Sequence, residues 1–349
     1  MFAFRELARN DATMALAFER ARQSRKRVTS VYDASVTCNL RCDGCLFFNR
    51  DGDYKGAEKL PSAEIYSHFF QEERARGVTY PIFGGAEPGA HQDILAEAGR
   101  VWKSGMVHTN GTIRFAKELP FRLYVSCWGH RENTNKWRGA DCYDKVFKNI
   151  SSDPRVLINY TVSHANIDDI LPVVADAASH NVKITFQVYS PTRDYHDVLA
   201  NNSKGTHVFA KESTLEDNLL MTREDDALAN SIINTAIDEF PSTVVFTKNL
   251  ATWLFARPGV FYDQIAGLDE IPQNCSVARD KSHVHYRSGL SIESNKTCGH
   301  PDILCKTCRT YTSIYTEYFR QKGLSINNTE DAKDYLLAHN VFHEIFYQH

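Results

Sequence analysis

Blocks of apolar and polar residues along the first part of the chain predict helices and strands in alternation. Residues 1–27 have the spacing of an amphipathic helix with a basic end. From Val28 to Tyr189, short blocks rich in β-branched and aromatic residues alternate with longer blocks of helical spacing. The predicted strands cover residues 28–36, 80–83, a stretch ending at Thr109, 121–128, 156–162 and 182–189. Parallel neighbours need crossover connections, which the helices would supply, so the alternation predicts a parallel α/β sheet.

The predicted helices between these strands cover residues 61–77, 91–104, 141–150 and 167–180. Ser62 is the expected N-cap of the first, and Gly77 its stop. In such a sheet, functional side chains are expected on the loops at the carboxyl ends of the strands.

Beyond Tyr189 the alternation weakens. A helix is predicted at 222–240, opening on a capping box at Thr222, followed by a strand at 244–247 and a helix from Asn249. Four segments are therefore predicted. They are an N-terminal helix at 1–27, a barrel-like core at 28–195, a helical and strand extension at 196–257, and a small cysteine-rich C-terminal domain at 258–349.

Composition and charge exclude several classes of protein. With 42% hydrophobic and 24% charged residues, the chain can bury a sizeable core. The net charge is -3, and the basic run from Arg20 to Arg27 belongs to a helical pattern, so nucleic acid is not expected as the main partner. No apolar run approaches the roughly 20 residues that span a bilayer, and charges interrupt the N-terminal run, unlike a signal peptide. We expect a cytoplasmic protein without a membrane span.

The candidate chemistry lies in the cysteines. Seven of the nine form two groups, namely Cys38, Cys42 and Cys45, and then Cys275, Cys298, Cys305 and Cys308. Tight groups in a long chain without export signals are typical of metal ligation rather than of a disulfide scaffold. Cys127 and Cys142 belong to neither group and are interpreted as packing residues.

The first group has the spacing Cys-x3-Cys-x2-Cys within TCNLRCDGCL, directly after the first predicted strand. Three thiolates can hold three irons of a [4Fe-4S] cluster and leave the fourth iron open. Structural zinc prefers four closed ligands, and no neighbouring histidine completes this triplet. An open iron-sulfur cluster is the favoured interpretation. A zinc site and unligated core cysteines remain as alternatives.

This loop resembles the signature of the radical S-adenosylmethionine (SAM) superfamily, and three later segments resemble family elements in the expected order. They are GGAEP at 84–88, TNG at 109–111 and the stretch from Val125 to Gly139. The residues that the resemblance proposes for SAM binding are Gly44, Gly84, Gly85, Glu87, Pro88, Thr109, Asn110, Ser126 and Arg138.

The resemblance also implies roles for these residues. The GGAEP segment is similar to the family motif that binds the methionine amino group, with one inserted alanine, and a carboxylate such as Glu87 suits an ammonium. Ser126 and Arg138 resemble the serine and arginine that hold the ribose and the methionine carboxylate. Strand alternation puts Ser126 on one face and Cys127 on the other. Gly44 departs from the family, since many members carry an aromatic residue there, and the packing of the adenine must therefore differ.

The resemblance covers roughly residues 28–190. It implies a partial (β/α)6 barrel similar to a TIM barrel, a [4Fe-4S] cluster with an open iron, SAM, and an electron donor such as flavodoxin or ferredoxin. In the family, a 5′-deoxyadenosyl radical abstracts a hydrogen atom from the substrate. No motif identifies a catalytic residue in the barrel.

The second cysteine group has the spacing Cys-x22-Cys-x6-Cys-x2-Cys around a hairpin-like segment at 284–292. This arrangement resembles the twitch region, a shortened relative of the SPASM domain that carries one auxiliary iron-sulfur cluster. A second [4Fe-4S] cluster is expected. Zinc is the alternative, because Cys-x2-Cys is common to both kinds of site.

Three functions compete. The first is a radical SAM enzyme acting on a small molecule of sugar, nucleoside or lipid type, for dehydrogenation, rearrangement or carbon–carbon bond formation. The second is a peptide-modifying maturase, and the third a zinc-binding structural protein. About thirty residues precede the first strand, too few for the winged peptide-recognition domain often fused to such maturases. The sequence therefore favours the small-molecule substrate.

Overall fold

The structure, a computed structural model, describes residues 2–24, 27–48, 60–201, 212–280, 282–287, 290, 298 and 303–346. Seven strands within these residues form one parallel sheet in the order β6-β5-β4-β3-β2-β1-β7. The strands are β1 Thr29–Asp33, β2 Tyr80–Gly84, β3 Met106–Thr109, β4 Arg122–Cys127, β5 Val156–Val162, β6 Lys183–Val188 and β7 Val284–Tyr286. The parallel α/β sheet predicted from the alternation is confirmed, and it is open, in agreement with a partial barrel.

Helices connect most of these strands, although the connection from β3 to β4, residues 110–121, contains none. The helices are α1 Phe2–Asn10, α2 Ala12–Ser24, α3 Ala63–Arg76, α4 Gln92–Val101, α5 Arg131–Arg138, α6 Tyr143–Ile150, α7 Ile170–Ser179, α8 Arg193–Ala200, α9 Arg223–Glu239, α10 Lys248–Phe255, α11 Ser276–Arg279, α12 Tyr311–Leu324 and α13 Thr329–Phe346. The predicted caps are present. Ser62 accepts the amide of Ile65 at the start of α3, and Thr222 and Asp225 form the capping box of α9.

Three local predictions were wrong. Residues 2–24 form two helices rather than one, because the Asp11 carboxylate accepts the Thr13 amide at 2.7 Å and begins α2 anew. Helix α5 was missed, since its sequence RENTNKWR is polar and lacks an apolar stripe. The predicted strand at 244–247 is an isolated bridge between Val244 and Ile184, because Thr247 already caps α10.

The C-terminal region adds a strand to the sheet. Val284–Tyr286 pairs in parallel with β1, with Val31 opposite His285, so the described part of the predicted hairpin lies at the sheet's edge. Residues 288, 289, 291 and 292 of that hairpin lie outside the described residues. The division into four segments stays a prediction, although buried side chains from Tyr32 to Phe346 share one hydrophobic core.

Strand β7 is tied to the barrel by a buried polar contact. The Glu73 carboxylate on α3 accepts hydrogen bonds from the hydroxyls of Tyr32 at 2.7 Å and Tyr286 at 3.0 Å, and Arg76 pairs with it at 2.7 Å. The rings of Tyr32 and Tyr286 stack at 5.6 Å between centroids. Within the described ranges, none of the helices has both the length and the apolar character needed to cross a membrane.

Candidate functional site

The inner face of the sheet and the loops at its carboxyl edge surround a cavity of about 480 Å³. Cys38, Cys42 and Cys45 line this cavity from the loop that follows β1. The loop is anchored on the end of α5, where the Asp43 amide donates to Trp137 O at 2.8 Å. The buried Asp43 carboxylate accepts the amide and the hydroxyl of Ser213, both at 2.7 Å. The three thiols therefore lie on a loop whose backbone is fixed from two sides.

Polar groups of the protein reach all three sulfurs. Cys38 Sγ accepts the Leu40 amide at 3.4 Å and the Asn110 side-chain amide at 3.5 Å. Burial raises the pKa of all three thiols, to about 12 for Cys45, and the Arg138 guanidinium opposes that rise at Cys42. Buried thiols with amide donors and a cation beside them suit thiolates that carry part of the charge of a cluster. No set of three or more His, Cys, Asp or Glu side chains in the described part of the chain meets the geometry of a metal-ion site.

The GGAEP segment brings backbone to the cavity at the end of β2. Gly84, Gly85 and Ala86 line the cavity. Gly85 has φ +103°, and a Cβ there would lie 2.6 Å from the backbone oxygen of Ser35. Only glycine fits this position, since both the conformation and the close approach exclude a side chain.

Glu87 and Pro88 do not line the cavity but stabilise the loops around it. Glu87 is 1% exposed, and its carboxylate accepts the Gly89 amide at 2.8 Å, the Thr109 hydroxyl at 2.7 Å and the Asn110 amide at 2.7 Å. Burial raises the pKa of this carboxyl, and the three hydrogen bonds oppose the rise. The structure thus shows a carboxylate that joins the β2 and β3 loops. Pro88 is buried at the start of a short 3-10 helix, Pro88–His91.

Thr109 and Asn110 lie at the end of β3 and line the cavity. The Asn110 side chain also donates to Asn39 Oδ1 at 2.9 Å and accepts the Thr112 hydroxyl at 2.7 Å. Asn39 and Thr112 were not predicted as site residues. Their position next to two recognised motifs is the only sequence signal that could have found them.

Ser126 and Arg138 meet on the β4 side of the cavity, which both line. Arg138 is buried, and its guanidinium donates to the backbone oxygen of Ser126. Among the described residues, Arg138 Nε has no hydrogen-bond partner. Cys127 faces away from the cavity and contacts Gly129 O at 3.3 Å, as the strand alternation predicts.

Gly44 lines no part of the cavity wall, and the absence of a side chain there leaves room for the Tyr189 ring. Gly44 has φ +63°, and a Cβ would lie 2.2 Å from Tyr189 Oη, which donates to Gly44 O at 3.2 Å. Tyr189 follows β6 and itself lines the cavity, with Trp128 at 6.0 Å between ring centroids. A side chain at position 44 would displace this ring. Sequence reasoning missed Tyr189, because it is distant along the chain.

The second cysteine group borders the same cavity, which Cys275, Cys298, Cys305 and Cys308 line. Burial, with smaller contributions from Cys308 and Cys305, raises the pKa of Cys275 to about 11. Cys308 Sγ donates to the Ser313 hydroxyl at 3.8 Å, and Ser313 also bonds to Cys275. The structure thus brings Cys275 and Cys308 together around Ser313, with Cys305 nearby. Most of the chain on either side of Cys298 lies outside the described residues.

The sequence matches no protein-family model, and no curated protein is similar to it in sequence. The fold is similar to that of Streptococcus suis SuiB bound to S-adenosylmethionine, with a TM-score of 0.53 and 14% identity over 82% of this chain and 65% of SuiB. It is also similar to anSMEcpe with bound AdoMet, with a TM-score of 0.50 and 14% identity over 84% of this chain and 82% of anSMEcpe. A structure of anSMEcpe with AdoMet and Cp18Cys peptide has a TM-score of 0.48.

These likenesses define the fold as the open, parallel α/β barrel of SuiB and anSMEcpe. The chain spans 65% of the length of SuiB. In the present chain, two groups of cysteines face one cavity of this fold.

Proposed function

We propose that this chain is a radical SAM enzyme that holds a [4Fe-4S] cluster on Cys38, Cys42 and Cys45 and cleaves SAM reductively. The observation that carries the proposal is that these thiols, Asn110 and Arg138 line one rim of a single cavity, at the carboxyl ends of parallel strands. When bound, such a cluster supplies the electron that splits SAM into methionine and a 5′-deoxyadenosyl radical.

The chain's own residues would bind and orient SAM. The buried Arg138 guanidinium, with Nε unpartnered among the described residues, is suited to the methionine carboxylate. The backbone of Gly84 and Gly85 allows a close approach by the methionine amino group. The Glu87 carboxylate is not proposed for this contact, because it already accepts hydrogen bonds from Thr109 and Asn110. Ser126 is the candidate for the ribose. Aromatic and aliphatic walls, including Trp128 and Tyr189, would keep water away from the reacting atoms.

The test is anaerobic reconstitution followed by reduction with dithionite in the presence of SAM. We expect 5′-deoxyadenosine and methionine in equal amounts, and an electron paramagnetic resonance signal of the reduced cluster that changes when SAM binds. A protein that takes up zinc but no iron, or an iron-loaded protein that leaves SAM intact, would contradict the proposal.

We further propose that Cys275, Cys298, Cys305 and Cys308 hold a second [4Fe-4S] cluster. What supports it is that these thiols face the cavity that would contain SAM and the substrate, where an electron acceptor or donor is useful. Zinc is the alternative, since both centres accept four thiolates. Flavodoxin or ferredoxin is the proposed external electron donor.

For the substrate, we put a peptide ahead of the small molecule that the sequence favoured. anSMEcpe, whose fold this chain shares, is a protein that binds a peptide together with AdoMet. Comparing 5′-deoxyadenosine release with peptides against sugars and nucleosides distinguishes the two. Stimulation by sugars or nucleosides alone would restore the small-molecule hypothesis.

A further inference from the structure

One polar group on the cavity wall has no part in the proposed SAM and cluster sites. It consists of Asp33 at the carboxyl end of β1 and His285 on β7, with His285 Nε2 at 3.0 Å from Asp33 Oδ1. The two side chains are 5% and 2% exposed, respectively, and both line the cavity. Because both side chains are buried, water does not supply hydrogen bonds to their remaining polar atoms, which need partners from the protein or from a ligand.

The second carboxylate oxygen of Asp33 is the informative atom. Asp33 Oδ2 is buried and has no hydrogen-bond partner among the described residues. Buried polar atoms are paired in the great majority of cases, and a carboxylate oxygen without a donor is especially unfavourable. In a cavity-lining side chain, such an atom marks the place where a ligand would supply the donor.

His283, the residue before β7, extends this polar surface. Its Nδ1 lies 2.8 Å from the Thr29 hydroxyl, while Nε2 has no partner within the described part of the chain. Burial lowers the pKa of His283 to about 4, so the ring is neutral near pH 7 and does not neutralise Asp33. Thr29 and Asp33 lie four residues apart on β1, and His283 and His285 lie two residues apart at the start of β7, so each pair shares a face and all four line the cavity.

Asp33 is also next to the proposed SAM site. It is the register partner of Gly84, and a Cβ at Gly84 would lie 3.8 Å from Asp33 Oδ1. A group bound at Asp33 therefore sits between the GGAEP backbone and the wall formed by β1 and β7. That region adjoins the backbone to which the proposed function assigns SAM.

We propose that Asp33 binds a hydrogen-bond donor of the substrate, an ammonium or a hydroxyl group, and that His285 is the positioning residue that holds the Asp33 carboxylate. This inference rests on the proposed function and adds a substrate preference to it. An ionised carboxylate only accepts hydrogen bonds, so Asp33 selects O–H and N–H groups and repels another carboxylate.

The experiment uses the reconstituted full-length holoenzyme with SAM, dithionite and acetylated, amidated glycine pentapeptides whose central residue is lysine, serine, alanine or glutamate. We expect the lysine or serine peptide to accelerate 5′-deoxyadenosine formation, and the alanine and glutamate peptides to have no such effect. Asp33→Asn should raise the KM for the accelerating peptide by about tenfold or more, the loss expected for one charge-assisted hydrogen bond.

Two substitutions at His285 separate positioning from packing. His285→Gln keeps an N–H donor for Asp33 and should retain a KM near that of the wild type. His285→Met removes the donor and should raise the peptide KM more than it lowers kcat. Thr316→Val, on the cavity wall of α12, is the matched control and should leave the peptide preference unchanged. If Asp33→Asn does not fold, the His285 pair still tests the proposal.

Failure of the two proposals gives different results. A reconstituted wild type that does not cleave SAM even without peptide overturns the proposed function. A wild type that cleaves SAM but responds equally to all four peptides overturns the Asp33 assignment alone. An unchanged peptide KM in both Asp33→Asn and His285→Met also overturns the Asp33 assignment. A rise in the KM for SAM alone overturns it too, and would place Asp33 in the SAM site.

Discussion

The two cysteine groups face one cavity, yet the protein holds them in different ways. The Cys38–Cys45 loop is fixed by hydrogen bonds to α5, to Ser213 and to Asn110 at the end of β3. The second group is carried by the four-residue α11 and the short 3-10 helix at Cys305–Thr307. Its backbone is fixed where Cys308 O accepts the Val260 amide at 2.9 Å and Pro191 O accepts the Leu304 amide at 3.3 Å, and the buried Arg309, next to Cys308, pairs with Asp226 on α9. Both groups are therefore anchored to the scaffold. They differ in the polar network beside the sulfurs, since Asn110 links the first group to the buried Glu87 carboxylate, whereas the hydroxyls of Thr310 and Ser313 lie beside the second.

The largest effect is expected from replacing Cys38, Cys42 and Cys45 together by alanine. Formation of 5′-deoxyadenosine should be abolished while the protein stays soluble, because these ligands lie on a loop and not in the core. Iron should fall from about eight to about four per chain if both groups hold cubanes. Iron analysis, Mössbauer spectra and product chromatography measure these outcomes.

The reciprocal variant, Cys275→Ala with Cys305→Ala and Cys308→Ala, should also lose about four irons. One zinc and no iron remaining in the first triple variant would make the second site a zinc module. Undiminished SAM cleavage by that first variant would show that the radical chemistry has no connection with the loop after β1.

Next in size is the effect of Arg138→Ala on SAM affinity. We expect a loss of about 10- to 100-fold with the first cluster still bound, since hydrogen bonds to charged groups contribute roughly 1.5 to 3 kcal/mol. Titration of reconstituted protein with SAM measures it. Arg131→Ala is the control, because Arg131 is exposed on the same helix and pairs with Asp144. Equal affinity in the wild type and Arg138→Ala would remove Arg138 from the site.

The difference between these polar networks predicts unequal losses of stability. Glu87→Ala leaves the donors of Gly89, Thr109 and Asn110 unsatisfied and should lower the free energy of unfolding by about 3 kcal/mol. Ser313→Ala removes one hydroxyl beside the second group and should cost about 1 kcal/mol. Urea unfolding of the metal-free variants compares the two. Equal losses would refute the distinction between the two sites.

The smallest effect concerns the contact that joins β7 to the barrel. Burial raises the pKa of Glu73, but hydrogen bonds from Arg76, Tyr32 and Tyr286 outweigh it and leave the pKa lowered. The stabilisation is present above the unfolded pKa of about 4.3 and is lost as pH falls through the lower, folded pKa. Glu73→Gln should therefore unfold more easily at pH 7 and show a weaker loss of stability toward acid.

Urea midpoints between pH 3 and pH 7 give the acid dependence of each variant. Glu72→Gln, one residue earlier on the exposed side of α3, is the matched control and should follow the wild type. An acid dependence in Glu73→Gln as steep as that of the wild type would show that this carboxyl does not couple β7 to the sheet.

The predictions that succeeded are those that depend on local periodicity. The alternation of β-branched blocks with helical blocks determined six of the strands and their parallel arrangement, since helices lie in four of the five connections between them, all but the one from β3 to β4. The cysteine spacing and the GGAEP and TNG segments likewise identified residues that the structure brings to the cavity or to the loops around it. These signals lie within a few residues of one another.

Only the tertiary structure decided which distant residues meet. It placed Val284–Tyr286 beside β1, directed the Glu87 carboxylate to two loops, and filled the space beside Gly44 with Tyr189. The pairing of Asp33 with His285 joins residues 252 positions apart. The physical reason is the same in each case. Periodicity reports which face of an element is buried, whereas the partner of a buried polar group depends on how the elements pack.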